Sequence, residues 1–171
     1  MKIIIIMAQT IDGKIGKDAK HEVNWTSKAD KQAFVAETKK HGVLIMGSST
    51  FDTIGRPLPG RLNLILTSKP EKYQDKVQEG LLEFVSGSPA EIVAMLEKRG
   101  FESAALGGGA KTNASFLKAG IVDEILLTIE PLIFGKGINF TQGEELDLKL
   151  ELIEQIKLDD DTIQLRYKIL K

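Results

Sequence analysis

The sequence predicts a three-layer α/β fold whose central sheet is mostly parallel and ends in an antiparallel hairpin. Three observations carry this. Short, uninterrupted apolar runs recur along the chain, as in strands buried on both faces. Amphipathic helical patterns with their own start and stop residues separate those runs. After Gly143 the pattern changes to alternation of apolar and polar residues, the period of a half-exposed antiparallel strand.

Lys2–Ala8 is the first apolar run and reads as a buried strand. Lys28–His41 reads as a helix ended by Gly42, where a left-handed residue is wanted. Val43–Met46 and Leu62–Leu66 are two further buried strands, and Leu82–Val85 a fourth. Pro89–Arg99 is a helix with proline in its first turn and Gly100 beyond its last. Ser103–Leu106 is a strand leading into Gly107-Gly108-Gly109, which opens a helix to about Ala119. Asp123–Ile133 is a long strand. Lys149–Leu158 and Thr162–Leu170 form the alternating hairpin, with Asp159-Asp160-Asp161 as its turn. No repeat or linker interrupts this order, so residues 1–171 are expected to form one domain.

Composition narrows the function. The 171 residues carry 23 basic and 24 acidic side chains, which argues against nucleic acid or an anionic membrane as the main partner. Cysteine is absent, which excludes disulfides and thiolate metal sites and suits a reducing cytoplasm. His21 and His41 are the whole histidine complement. A histidine-rich metal centre or Ser-His-Asp triad is therefore not expected, and both are read as surface residues. The run Ile3–Met7 is too short to span a membrane and lacks a signal-peptide layout. The expectation is a soluble, cytoplasmic protein.

Chemistry concentrates in six places. In Ile54-Gly-Arg-Pro-Leu-Pro-Gly-Arg61, two prolines and two glycines force a fixed, non-helical loop carrying two arginines. Arg61, directly ahead of a buried strand, is placed to present a guanidinium at a pocket mouth and grip a carboxylate through two parallel bonds. Arg56 reads as a surface or loop-stabilising residue. On the helix starting near Lys28, Asp30 and Phe34 share a face. A carboxylate beside an aromatic there is poorly solvated, which raises its pKa and suits it to proton transfer. Ser27-x-x-Asp30 also fits a helix capping box, and the two roles coexist if Asp30 points inward.

Gly107-Gly108-Gly109 lies at a strand-to-helix junction, so it reads either as a tight turn or as a cradle for a diphosphate. Gly47-Ser48-Ser49-Thr50 follows its strand in the same way, as a phosphate-holding turn or a plain N-cap. Thr67-Ser68-Lys69 ends a third strand and adds a cation. Open α/β sheets bind ligands beyond the carboxyl ends of their strands, so three such segments favour an extended nucleotide. Ile11-Asp12-Gly13-Lys14-Ile15-Gly16 leaves the first strand either as a simple turn or as part of a mobile flap reaching to Trp25.

With these residues in order, the chain resembles the dihydrofolate reductase superfamily over essentially its full length. The features that carry the resemblance are Trp25 five before Asp30, Phe34 four after it, and Met46-Gly47-x-x-Thr50-Phe51. To these are added Ile54–Arg61, the glycine turn, and Thr128 in the strand after it. The resemblance implies NADPH-dependent reduction of dihydrofolate to tetrahydrofolate. Asp30 would bind the pteridine and promote protonation of its imine nitrogen, supported by Thr128. Arg61 would hold the glutamate α-carboxylate. Phe34, Ile6, Ile54 and Leu58 would pack on the substrate. Ala8, Ile15, Gly16 and Trp25 would lie near the nicotinamide. Gly47, Ser48, Ser49, Thr50, Leu66, Thr67, Ser68, Lys69, Leu106, Gly107, Gly108, Gly109, Ala110, Lys111 and Thr112 would line the rest of the cofactor. No metal is implied.

Two departures qualify that pattern. Ser48 stands where these reductases usually place a cation for the 2′-phosphate, which leaves Lys69 and the serines to replace it. Asp12–Ile15, Gly120–Glu124 and Pro131–Gly137 look more like the pyrimidine reductases of riboflavin biosynthesis, many of which are dimers. The alternatives are thus reduction of a ribosylaminopyrimidine phosphate, or a module that binds NADPH without catalysis. The chain is expected to be a monomer or homodimer.

Overall fold

The computed structural model describes residues 1–22 and 24–171. Strand β1 (Lys2–Thr10) runs into a short β2 (Lys14–Gly16), and helix α1 (Lys28–Lys40) precedes β3 (Val43–Gly47). Then come α2 (Ser48–Ile54), β4 (Leu62–Leu66), a 3-10 helix over Pro70–Lys76 and β5 (Leu82–Val85). Helix α3 (Pro89–Lys98), β6 (Ser103–Leu106), α4 (Ala110–Lys118) and β7 (Glu124–Glu130) follow. The chain ends with β8 (Ile138–Asn139), β9 (Lys149–Lys157) and β10 (Ile163–Leu170).

Eight strands form one sheet in the order β5-β4-β3-β6-β1-β7-β10-β9. The pairs from β5 through β7 are parallel, and β10 joins β7 antiparallel before β9 closes the edge. The predicted fold class is therefore the observed one. Alternate residues of each central strand enter opposite cores, as the two-residue period requires. Ile3, Ile5, Val43 and Ile45 pack with Ile92 and Leu96 of α3 and Phe116 of α4. Ile4, Ile6, Leu44, Met46 and Phe51 form the core on the other face, and Phe34 of α1 packs against that cluster. Each buried aliphatic side chain contributes roughly 1.5–3 kcal/mol, enough to fix the sheet register beneath the loops.

Departures from the expected boundaries have local causes. β1 continues to Thr10 because β7 offers partners out to Glu130. β7 itself stops there rather than at Ile133, since Pro131 has no N–H for the ladder and the Leu132 N–H turns back onto the Glu130 carbonyl, 2.7 Å away. The segment after Asp12 is not a free loop: β2 pairs with β8, a two-strand unit absent from the sequence reading. The histidines are not fully exposed. His21 is partly buried edge-on against Phe134, and His41 packs with Nδ1 2.8 Å from the Ser103 hydroxyl. Strand β9 departs from the half-buried strand that its alternation suggests, because every one of its residues is exposed.

An ion network fixes α1 to the hairpin. Arg166 of β10 meets Glu37 of α1 at 2.6 Å, Glu124 of β7 at 3.1 Å and Glu154 of β9 at 3.2 Å. With arginine half-sheltered, this network holds the helix that carries Asp30 in one place above the sheet.

Candidate active site

The carboxyl ends of β1, β3, β4, β6 and β7 share one rim of the sheet, and the candidate residues gather along it. On the β1–β7 side, α1 begins with Ser27 as N-cap, whose hydroxyl accepts the Asp30 N–H at 3.0 Å. That is half of the capping box expected from Ser27-x-x-Asp30. The other half is not made by Asp30: the Ser27 N–H donates instead to Glu130 Oε1 of β7, at 2.9 Å. The Asp30 carboxyl is thereby left for the site, although the residue is only 6 % exposed. Desolvation by burial raises its pKa, while hydrogen bonds from Thr128 and Thr26 and the charge of Lys31 pull the other way. Thr128 is itself buried on β7, where its hydroxyl accepts from Gln164 Nε2 at 3.1 Å.

On the same face, the loop from Ile54 to Arg61 is held by Asn63. Its Oδ1 accepts from the Leu58 N–H at 2.9 Å, and its Nδ2 donates to the carbonyls of Leu58, Arg61 and Leu81 at 2.8–3.1 Å. Ile54, Leu58 and Phe34 pack against the core that contains Ile6, so the four expected substrate contacts are neighbours. Arg56 is exposed, as expected.

Arg61 requires a correction. Its guanidinium is not held out with both prongs free. Nε and Nη2 donate to the Pro59 carbonyl at 3.3 and 3.0 Å, and Nη1 donates to the Val35 carbonyl and the Thr38 hydroxyl. Four of its five N–H groups are thus committed to the loop and α1, leaving one on Nη2. Burial lowers its pKa, and among the described residues no carboxylate forms an ion pair with it. A cation buried in this way still favours an anion at its open side.

Across the rim, the glycine turns meet. The Gly47 N–H donates to the Gly108 carbonyl at 2.8 Å, and a Cβ on Gly47 would stand 2.8 Å from Thr112 Oγ1. Gly108 has φ +85°, and a Cβ there would strike Met7 Sδ at 2.8 Å. Of Gly47-Ser48-Ser49-Thr50, Gly47 is the N-cap of α2, as the N-cap reading allows, and no side-chain hydrogen bond closes that cap. Gly109 likewise caps α4 with no side-chain bond, leaving that helix's first N–H groups open. Leu66 pairs with Gly47, so Thr67, Ser68 and Lys69 extend from the neighbouring strand end.

This arrangement can be set beside known proteins. The sequence pattern that defines the dihydrofolate reductase family matches residues 2–155. The chain belongs to the dihydrofolate reductase family. A dihydrofolate reductase of Haemophilus influenzae is 31 % identical over 160 residues, covering 94 % of this chain and 91 % of that one. A dihydrofolate reductase from Enterococcus faecalis, solved with NADP(H) and RAB-propyl, aligns with TM-score 0.78 at 28 % identity, covering 99 % of this chain and 97 % of that one. A pyrimidine reductase-like protein from Corynebacterium diphtheriae shares the fold with TM-score 0.83 at 15 % identity, covering 99 % and 92 %.

Within this dihydrofolate reductase framework, one expected cofactor residue points elsewhere. Leu106 is fully buried in the α3–α4 core, so its side chain does not reach the rim, because residues alternate faces along β6. Ala110 is also buried, Lys111 is exposed and Thr112 lies against Gly47. Ala8 and Ile15 are partly buried and Gly16 is buried. The segment that carries Ile15 and Gly16 is tied down. Asp12 accepts from the N–H groups of Phe134 (3.1 Å) and Gly135 (2.7 Å), and the Phe134 ring packs edge-on against Trp25.

The sequence reading missed Glu130, Thr26, Asn63, Thr38 and Gln164. Polar residues inside apolar strands, as in Leu62–Leu66 and Glu124–Glu130, are the available signal for Asn63 and Glu130. Gly108→Ala is expected to destabilise the fold by about 1–3 kcal/mol, since both the positive φ and the Met7 contact oppose a side chain. Thermal melts of native and variant protein check this.

Proposed function

We propose that this chain is an NADPH-dependent dihydrofolate reductase. The observation that carries the reading is a buried carboxyl at Asp30, spared from capping its own helix, on the same face as the Arg61 cation. A pterin bearing a glutamate tail needs both. The residues fit NADPH: the Gly47 and Gly108 turns are packed too closely against Thr112 and Met7 to admit a Cβ, so only bare backbone lines the rim there, and α4 presents open N–H groups to a diphosphate.

When bound, the cofactor supplies a hydride to the pterin imine carbon. The protein's own residues do the rest. Asp30 would accept hydrogen bonds from the pteridine amino group and ring N–H through its two Oδ atoms, and would promote protonation of the imine nitrogen. A pKa raised by burial makes that carboxyl a better proton acceptor and so suits it to managing protons nearer neutral pH. Phe34, Ile54 and Leu58 would orient the ring and exclude water. The flap, fastened through Asp12, would close over the reacting centres. The Arg61 Nη2 would meet the tail carboxylate through its remaining N–H.

Lys69 supports the preference for NADPH, because Ser48 brings no charge to the 2′-phosphate. Lys69→Ala is expected to raise the Michaelis constant for NADPH about two- to five-fold while leaving that for NADH unchanged, since an exposed cation contributes roughly 0.2–1 kcal/mol. Kinetics with both cofactors test it.

The second reading is a riboflavin-pathway pyrimidine reductase. It is favoured by Asp12–Ile15 and Pro131–Gly137, the two segments that the Asp12 carboxylate joins. Spectrophotometric NADPH oxidation with each substrate separates the two. Turnover of dihydrofolate supports the first reading, and turnover of the aminopyrimidine alone replaces it with the second.

A further inference from the structure

We propose that Glu130 is a positioning residue that keeps the Asp30 carboxyl turned into the site by capping α1 in its place. The inference rests on the reading of Asp30 given above. This chain contains its own control. Helix α3 starts with the same serine-x-x-acid pattern, and there the box closes: the Ser88 N–H donates to Glu91 Oε2 at 2.7 Å, and the Glu91 N–H to Ser88 Oγ at 3.3 Å. In α1 the serine half is present, but the acid half comes from another strand. Glu130 Oε1 accepts both the Ser27 N–H at 2.9 Å and the Ser27 hydroxyl at 3.0 Å. That fixes the hydroxyl so that its lone pair meets the Asp30 N–H.

Glu130 is 3 % exposed, and among the described residues it forms no ion pair. A buried, unpaired carboxylate opposes folding, and a helix cap alone does not require one, since α3 is capped from within. The arrangement makes sense if Asp30 must be free. Without Glu130, the Ser27 N–H would be open, and the Asp30 carboxylate is the nearest acid able to close the box. The charged group that acts on Asp30 is Lys31 from its own helix. The hydroxyls of Thr26 and Thr128 complete its surroundings.

The test is isotope-edited NMR titration of the aspartate carboxyls in the full chain, with Asp30 assigned by its loss in Asp30→Asn. In Glu130→Leu the Asp30 titration is expected to move down towards the ordinary carboxylate range, because an ionised carboxylate bonded to a backbone N–H is favoured. Turnover at neutral pH should fall about tenfold, with the acid limb of the rate profile following the same shift. Glu130→Gln keeps the acceptor for Ser27 and should restore both. An unmoved Asp30 titration in Glu130→Leu, with stability alone reduced, would overturn the proposal. Should that variant not fold, Glu130→Thr, too short to reach Ser27, carries the same two outcomes. The titration needs no substrate, so failure of dihydrofolate turnover in the native protein would sink the proposed function and leave this inference standing on its own measurement.

Discussion

Asp30→Asn is expected to cut dihydrofolate turnover by about two to four decades at neutral pH, the scale of lost acid–base assistance, while raising thermal stability. The two effects have one cause. Burial raises the Asp30 pKa above its ordinary value of 3.8, with Thr128, Thr26 and Lys31 offsetting only part of that rise. Between 3.8 and the raised folded value, the folded protein binds more protons than the unfolded chain. Stability therefore falls as pH rises through that window, and the full cost persists above it. Asparagine removes the charge and keeps the shape. The melting-temperature difference between variant and native protein should be near zero in strong acid and positive at neutral pH. Melts across that range test the electrostatics, and steady-state rates test the chemistry. Near-native turnover in the variant would remove Asp30 from its assigned role.

That pairing of lost activity with gained stability depends on a feature only partly legible in the sequence. The Ser27-x-x-Asp30 spacing shows that a cap and an inward carboxyl are both available, but not which one the chain makes. The choice is settled by Glu130, 100 residues further along and brought to Ser27 only by the pairing of β7 with β1. The sheet was readable because runs such as Ile3–Ile6 and Val43–Met46 are buried on both faces and leave no ambiguity of period. The meeting of Gly47 with Gly108 follows from β3 and β6 being neighbours, which no local pattern reveals. Leu106 illustrates the reverse error. The family resemblance places Leu106 beside the cofactor, whereas the two-residue period of β6 sends its side chain into the opposite core. The burial of Arg61 was also invisible locally, since its partners Val35 and Thr38 belong to another helix.

Arg61→Ala is the second large effect, and the structure divides it in two. As a strut, the guanidinium joins the Pro59 carbonyl to Val35 and Thr38, so its loss leaves buried acceptors without donors and lowers the melting temperature. As a ligand, it offers one N–H and an unneutralised charge. Losing a charged hydrogen bond of about 1.5–3 kcal/mol should raise the Michaelis constant for dihydrofolate roughly 10- to 150-fold. A dihydropterin lacking the glutamate tail separates the two roles. It should show the same Michaelis constant with native and Arg61→Ala protein, because it has no carboxylate to lose. Arg61→Lys keeps a charge but not the fork, so it should melt early like the alanine variant while recovering part of the affinity for the tailed substrate. If tailed and tail-less substrates suffer equally in Arg61→Ala, the arginine shapes the pocket without touching the tail. The glutamate carboxylate would then need another partner, and the case for a folate substrate would rest on Asp30 alone.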